Sequence, residues 1–463
     1  MINSISLTAL AEQTSGTLSG EELRFDSISI DTRTMRKGDL FVAIKGEVFD
    51  GHRYITQAIN SGCCAVVVNE SATLDAANSV YVDSKQIKPY LCVSDTQKAL
   101  GEAALLNRQL FSGPVFGLTG SSGKTSTKNM LATILNEKGN TCATEGNFNN
   151  EIGVPLTLLN IDENHSYAVI EMGARSKGDI GYLAHFVRPD IAILLNAGSS
   201  HIDVFGSYQN IVEAKGEIFE SLNDEGVAII NFDDPAVAKW EKLTKGKRSL
   251  RFSLADEAAD VYATDIQCET EKSNFNLNYA GEVKKISLPV PGEHNVLNAL
   301  AAAAAAISIG FELQNIADGL VKLKPASGRL NVVRLQKNIS LIDDSYNANP
   351  DSMKASLDVL ALRKGVKVAV LGEMGELGEY SLDFHLALAD YGVLSSIEQF
   401  LLIGPHAQAM AQKLDGRGKS FNSKQELLDH LSEGITGEET ILVKGSRSAG
   451  MDEIVNVIKG RFA

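Results

Sequence analysis

Short apolar runs that stop at glycine or polar residues set the rhythm of this chain. Val115–Leu118, Ala168–Ile170, Ile191–Leu195 and Val227–Ile230 each end that way. Strands buried on both faces read as unbroken apolar runs, and strands of parallel sheets covered by helices are buried so. The pattern therefore predicts a mostly parallel sheet, with ligands bound beyond the carboxyl ends of its strands. Upstream, the runs Leu40–Ile44 and Ala65–Val68 are separated by a helical piece, Tyr54–Ser61. Downstream, the turn Pro289-Val290-Pro291-Gly292 leads into a helix-rich stretch, Asn295–Leu323. A third alternating set then begins, with strands at Ser340–Ile342, Lys367–Leu371, Phe400–Ile403 and Thr440–Val443. Between the first two lies a helix over Ser352–Arg363, started by Asn349-Pro350, where asparagine caps and proline fits the first turn. The stretch Lys322–Gly328 reads as a hinge.

The expected architecture is α/β throughout, in three domains: a small N-terminal one over 1–105, a central one over 106–323 and a Rossmann-like C-terminal one over 324–463. A length of 463 residues suits about three domains. The apolar fraction of 44% with 22% charged residues supplies ordinary globular cores. No apolar run reaches the roughly 18–20 residues that span a bilayer, and Met1-Ile2-Asn3-Ser4 does not open a secretory signal. The five cysteines lack metal-ligand spacing, and Cys63–Cys64 sit in an apolar run. These features predict a cytoplasmic protein. A net charge of −15 excludes general affinity for nucleic acid or an anionic membrane. Any phosphate site must be local.

Such a site is visible at Thr119-Gly120-Ser121-Ser122-Gly123-Lys124-Thr125, which follows the run Val115–Leu118 and opens a helix with apolar positions at Met130, Leu131, Ile134 and Leu135. Glycines let backbone N–H groups close around phosphate oxygens, the lysine reaches the terminal phosphates, and the threonine hydroxyl binds Mg²⁺. This predicts a central domain of the P-loop ATPase type. One position departs from the usual pattern: a glycine is expected at 118, where this chain has leucine. Glu171, closing the neighbouring strand, is placed to hold a metal ion. His201 follows the next strand end and is either a second metal ligand or a polar loop residue. By composition Lys215, in the helical run Val212–Phe219, is a solvated lysine, and Arg329 is a lone arginine in the hinge. The run Asp343-Asp344-Ser345-Tyr346-Asn347-Ala348-Asn349-Pro350 collects acids, hydroxyls and amides at a strand end, suited to ribose or a polar substrate. Asp31-Thr32-Arg33 and Lys444-Gly445-Ser446-Arg447 are further candidates for holding a phosphate or carboxylate.

Taken in order along nearly the whole chain, these motifs resemble the Mur ligases, which build the peptide stem of peptidoglycan. The resemblance runs from Asp31-Thr32-Arg33 and GEVFDG (46–51) through TGSSGKT, GNFNNEIG (146–153), Glu171-Met172-Gly173 and GEHNVLN (292–298) to DDSYNANP and KGSR. YNANP, GEMGELG (372–378) and KGSRSAGM (444–451) point within the family to the addition of D-alanyl-D-alanine to UDP-N-acetylmuramoyl-tripeptide. The implied reaction uses ATP, passes through an acyl phosphate and serves peptidoglycan synthesis. The resemblance also implies roles. Thr119, Gly120, Ser121, Ser122, Gly123, Lys124, Thr125 and Ser126 would hold ATP. Asn295 and Asn298 would lie near adenine, Asp344 near ribose and Arg329 near the terminal phosphate. Thr125, Glu171, His201 and a carbamylated Lys215 would bind two Mg²⁺ ions. Catalysis would rest on Lys124, Lys215, His201 and Arg329. Asp31, Thr32 and Arg33 would hold the uridine nucleotide, Asn149 and Asn150 the middle of that substrate, and Tyr346, Asn347 and Asn349 the incoming dipeptide. The implied enzyme is a monomer.

Three other readings remain open from the residues. A sister ligase adding diaminopimelate or lysine would carry a D-x-P-R run, and none occurs here. A folylpolyglutamate-synthase-like ligase begins near its phosphate loop, whereas about 115 residues precede this one. A nucleotide-driven switch without ligase activity would have no use for YNANP.

Overall fold

In the computed structural model the described residues are 1–46, 49–70, 89–254 and 256–462. Glu47 and Val48 of the GEVFDG run lie outside them. Four sheets form among these residues, and three of them organise the three domains.

The central sheet has nine strands and decides where a ligand would go. Seven run parallel. In spatial order they are Thr141–Ala143, Tyr167–Glu171, Val115–Thr119, Ile191–Leu194, Val227–Asn231, Arg248–Ser253 and Val261–Cys268. Val115–Thr119 comes first in sequence but lies between Tyr167–Glu171 and Ile191–Leu194. The chain thus leaves it towards one side of the sheet and returns on the other. That reversal opens a crevice at the strand ends, where open α/β sheets bind ligands. The four predicted runs are all strands of this sheet. The expectation of a mostly parallel sheet holds, with one addition: Ser273–Tyr279 and Glu282–Leu288 extend it antiparallel at one edge.

The helices on the two faces follow from apolar stripes. Lys124–Leu135 buries Met130, Leu131, Ile134 and Leu135, spaced to share one side. It packs against the alanine-rich helix Glu293–Ser308, whose small side chains allow a close approach over that face. On the opposite face the helix Thr96–Leu110 joins the N-terminal and central domains in one continuous core with Leu7, Leu40, Phe186 and Trp240. Asp95 caps it by accepting from the N–H groups of Gln97 and Lys98. The boundary expected at 105–106 falls inside this helix.

The N-terminal sheet has five strands, with Thr17–Ser19 antiparallel beside Tyr90–Val93 and the others parallel. The C-terminal sheet has six. Five are parallel, and Asn331–Arg334 pairs antiparallel with Ser340–Asp344 at one edge. Here too an order reversal places Thr440–Lys444 between Ser340–Asp344 and Lys367–Leu371. The helix Pro350–Ala361 starts where predicted: Asn349 Oδ1 accepts from Ser352 N at 2.8 Å and Pro350 occupies the first turn. Among the described residues, no helix is long and apolar enough to cross a membrane.

Candidate active site

The switch points of the central and C-terminal sheets face a common cleft of about 1270 Å³. Its central-domain wall includes Ser121, Ser122, Gly123, Lys124, Thr125 and Ser126. Its other wall includes Arg329, Asp344, Tyr346, Asn347 and Asn349.

The loop after Val115–Thr119 is held from the neighbouring strand. Asn196 Oδ1 accepts from Ser122 N at 2.9 Å, and Asn196 O accepts from Ser121 N at 3.1 Å. Gly198 N donates to Ser121 Oγ at 2.8 Å. Gly123 has φ +79, and a Cβ there would lie 2.3 Å from Asn298 Oδ1, so only glycine fits. The departure at 118 has a simple cause: Leu118 is a fully buried strand residue, the strand runs through Thr119, and the turn begins at Gly120. Lys124 Nζ folds back onto Gly120 O at 2.7 Å. Desolvation lowers its pKa below the usual lysine value against the opposing pull of Glu171, and the charge of Arg329 adds to the lowering. Arg329 is thus an electrostatic neighbour of the loop, and its guanidinium carbon sits 4.3 Å from the centroid of the Tyr346 ring.

Glu171 ends the adjacent strand and is buried. Thr125 donates its hydroxyl to Glu171 Oε2 at 3.0 Å, and Asn149 Nδ2 donates to Oε1 at 2.7 Å. Hydroxyl and carboxylate converging at a phosphate loop make a donor set suited to a hard divalent cation. His201 lines the cleft, and its Nδ1 lies 2.8 Å from Glu376 Oε2, a partner that sequence spacing did not suggest. Among the described residues, no three His, Cys, Asp or Glu side chains converge as a ready cation site. A further anionic ligand would have to come from another group.

Lys215 corrects the composition reading. It is 2% exposed, on the buried side of the helix Tyr208–Glu220 beside Ile211, Ile218 and Phe219. Burial, with the charge of Lys124, pushes its pKa down to about 7. Spacing could have found it: four residues after Ile211 and three before Ile218 is the apolar side of a helix.

Lys444 also corrects an expectation. Its ammonium meets a carboxylate, but an internal one: it donates to Asp344 Oδ2 at 2.6 Å, both residues being buried. Ser356 Oγ donates to the same oxygen, and Leu330 N donates to Oδ1 at 3.1 Å. Asp344 therefore reaches the cleft wall with both oxygens engaged. Arg447 lines the cleft and pairs with Asp452 at 3.4 Å. Asn349 caps its helix, and its Nδ2 donates across the cleft to Ser200 Oγ at 2.6 Å. Asn347 O accepts from Lys444 Nζ at 3.1 Å. Asn295 and Asn298, three apart on one helix face, line the cleft, with Asn295 Nδ2 donating to Pro291 O at 2.8 Å. Asn149 and Asn150 line it on the opposite side. Asn150 Oδ1 accepts from Gly153 N at 2.9 Å.

Asp31, Thr32 and Arg33 do not line this cleft. Arg33 makes a two-pronged contact with Asp31, 2.6 Å at its shortest, while its side chain stays 84% exposed. That contact pulls the Asp31 pKa down to about 2.

His294, beside Asn295, is desolvated to a pKa of about 4, with Asp344 opposing and Lys444 reinforcing the drop. The unfolded chain takes up a proton as pH falls through about 6.5, and the folded chain does not until about 4. The contribution to stability is present above pH 6.5 and fades as pH falls towards 4. At pH 5 it removes about 2 kcal/mol relative to neutral pH. Thermal melting of His294→Gln should drop less between pH 7.5 and 5 than that of the unaltered chain. Parallel melting curves would contradict the assignment.

Comparison with known proteins bears on this geometry. Family models match the chain in order: "Mur ligase family, catalytic domain" over 24–108, "Mur ligase middle domain" over 118–306 and "Mur ligase, glutamate ligase domain" over 328–447. The chain is 40% identical to the UDP-N-acetylmuramoyl-tripeptide–D-alanyl-D-alanine ligase of Escherichia coli K12, across 98% of each chain. This chain belongs to the Mur ligase family. Among solved structures of that family, MurF of Acinetobacter baumannii superposes with a TM-score of 0.91 at 34% identity, covering 99% of both chains. The MurF ligase of Thermotoga maritima, solved with ADP, superposes at 0.81 with 28% identity, covering 94% of this chain and 97% of that one. The three-domain Mur ligase architecture expected from the motifs is the one observed.

Proposed function

We propose that this chain is an ATP-dependent ligase that joins D-alanyl-D-alanine to the terminal carboxylate of UDP-N-acetylmuramoyl-tripeptide, a step of peptidoglycan synthesis. The observation that carries the reading is the shared cleft. One wall is a phosphate loop with the Thr125–Glu171 pair, and the other presents Arg329 and the polar run ending at Asn349. The likeness to D-alanyl-D-alanine-adding ligases across 98% of the chain supports this reaction over that of a sister ligase or a non-catalytic switch.

The division of labour follows the sheets. Residues 1–105 hold the uridine nucleotide through Asp31, Thr32 and Arg33, residues 106–323 hold ATP, and residues 324–463 bring Tyr346, Asn347 and Asn349 to the dipeptide. The backbone N–H groups of 120–126, with the Ser121, Ser122 and Ser126 side chains nearby, enclose the phosphates, and Lys124 releases Gly120 O to reach them. Thr119 anchors the loop from beneath through its hydroxyl bond to Met172 O at 2.9 Å. Asn295 and Asn298 flank the adenine and Asp344 the ribose. The tripeptide carboxylate oxygen attacks the γ-phosphorus, forming an O–P bond as the bond to ADP breaks. The amine of the dipeptide then attacks the acyl carbon, inorganic phosphate leaves, and the amine loses a proton. Two anions meet in the first step, so Lys124 and Arg329 must offset their repulsion. Two Mg²⁺ ions, held by Thr125, Glu171, His201 and carbamylated Lys215, would supply charge neutralisation at the phosphates. The residues fit: hydroxyl, carboxylate and imidazole are the donors such ions take, and the lowered pKa of Lys215 favours the neutral amine that reacts with CO₂. The protein works as a cytoplasmic monomer.

The test is phosphate release from ATP by the purified chain, with the product identified by mass. Release should require both UDP-N-acetylmuramoyl-tripeptide and D-alanyl-D-alanine. Equal release without either overturns the proposal. Arg33→Ala should raise KM for the uridine nucleotide about tenfold, as loss of one charge-assisted contact does, with kcat little changed. An unchanged KM would remove Arg33 from that site.

A further inference from the structure

His201 and Glu376 come from different domains, yet their side chains meet. His201 precedes the short helix Ile202–Phe205, beyond a strand end of the central sheet. Glu376 lies in the GEMGELG loop, after the strand Lys367–Leu371 of the C-terminal sheet. His201 Nδ1 stands 2.8 Å from Glu376 Oε2, and both residues line the cleft. Both also hold left-handed backbone, His201 at φ +59 and Glu376 at φ +61, which ordinary side chains rarely adopt.

The loop carrying Glu376 is itself fixed. Met374 N donates to His385 Nε2 at 3.0 Å, and Ser446 N donates to Glu373 O at 2.8 Å. Two residues beyond Glu376, Gly378 comes so near the histidine turn that a Cβ there would lie 2.9 Å from the Cβ of Asp203. The two domains thus touch at this point through backbone as well as side chains.

A neutral imidazole carries its proton on one nitrogen and offers a lone pair on the other. A carboxylate that accepts from one nitrogen fixes the tautomer, aims the ring and raises the basicity of the other nitrogen towards a metal ion. Glu376 accepts at Nδ1, which leaves the Nε2 lone pair available. We propose that Glu376 is a positioning residue that sets the tautomer and ring direction of His201, so that a high-affinity divalent-cation site is complete only when the C-terminal domain is docked on the central one. The inference rests on the reading of His201 as a cation ligand given above. It makes cation binding and domain docking mutually reinforcing, since coupling between two equilibria is reciprocal.

The test measures Mn²⁺ binding to the full chain by electron paramagnetic resonance of the free ion, in the presence of a non-hydrolysable ATP analogue. The variants are His201→Ala, Glu376→Ala and Glu376→Gln, and affinity for the analogue without any divalent cation is measured alongside. Glu376→Ala should weaken Mn²⁺ binding about 10- to 100-fold, as loss of such outer partners does. Glu376→Gln, whose amide oxygen still accepts from Nδ1, should recover most of that loss. Cation-free affinity for the analogue should stay unchanged in all three. Wild-type Mn²⁺ affinity in Glu376→Ala, with weakened binding in His201→Ala, overturns the positioning role and leaves His201 a ligand. Wild-type affinity in His201→Ala overturns the ligand reading and the inference with it. A matching fall in cation-free affinity for the analogue, without recovery in Glu376→Gln, shows a merely structural contact and also overturns the inference.

Discussion

Replacing Lys124 by alanine leaves a folded protein that no longer releases phosphate. The expected loss in kcat is on the order of 10³-fold or more, because under the proposed function the substitution deletes the cation that would lie beside the bond that breaks. In the structure Lys124 is already inside the loop it serves, bonded to Gly120 O at 2.7 Å, with Glu171 and Arg329 as electrostatic neighbours. Desolvation makes its charge costly despite the pull of Glu171, and a triphosphate would offset that cost by pairing with it. The alanine variant should therefore melt no earlier than the unaltered chain, since a partly desolvated charge has gone. Its affinity for ATP should fall as well. Phosphate release close to normal, with wild-type melting, would take Lys124 out of the mechanism.

Removing the Lys215 side chain is the second large effect, and a more diagnostic one. A lysine 2% exposed with a pKa of about 7 is half neutral near physiological pH, whereas an ordinary lysine is almost wholly charged. The neutral amine attacks CO₂, a C–N bond forms, one proton leaves, and the side chain becomes an anionic oxygen donor. Under the proposed function, that carbamate would join Glu171 and His201 as an oxygen ligand, where among the described residues no three His, Cys, Asp or Glu side chains converge on their own. Lys215→Ala should lose on the order of 10²- to 10³-fold in kcat. Acetate or formate at high concentration should restore part of it, by placing a carboxylate in the space the carbamate would fill. Lowering the pH below 7 protonates the amine and should reduce the activity of enzyme prepared free of bicarbonate, with recovery on adding bicarbonate at higher pH. Full activity of Lys215→Ala without additive would contradict the carbamate role.

The parts of this molecule that were legible in its sequence are those encoded locally. Runs such as Ile191–Leu194 and Val227–Asn231 are buried on both faces and so read as strands without help from their neighbours. The phosphate loop is seven consecutive residues between a strand and a helix, and its chemistry travels with it. The antiparallel edge over 273–288 was not legible. Ser273–Tyr279 carries three asparagines among its apolar residues, and Glu282–Leu288 exposes glutamate and lysine, a composition shared with loops. Several N-terminal strands are only two or three residues long, below the length at which alternation can be recognised.

The interactions that complete the cleft were hidden for a different reason. Lys444 and Asp344 are 100 residues apart, and Asn349 and Ser200 are 149 apart. Nothing in local periodicity links such partners. Asp344 read as a ribose neighbour, Asn349 as a helix cap and dipeptide contact, and Lys444 as a candidate for a phosphate or carboxylate, when an internal carboxylate had already claimed it. The contact of Glu376 with His201 belongs to the same class. It arises from two sheets whose order reversals face each other, which only the assembled topology reveals. Lys215 stands between these cases. Its burial was encoded in helical spacing from Ile211 to Phe219, but its charge suggested a solvated face.

The most direct measurement is a crystal structure of the chain soaked with a non-hydrolysable ATP analogue and magnesium. The account predicts the triphosphate wrapped by the backbone of residues 120–125. Lys124 Nζ should have moved from Gly120 O to the phosphates, and a magnesium ion should lie between Thr125 Oγ1 and the Glu171 carboxylate. A triphosphate bound elsewhere, with the loop empty and Lys124 still on Gly120 O, would contradict it.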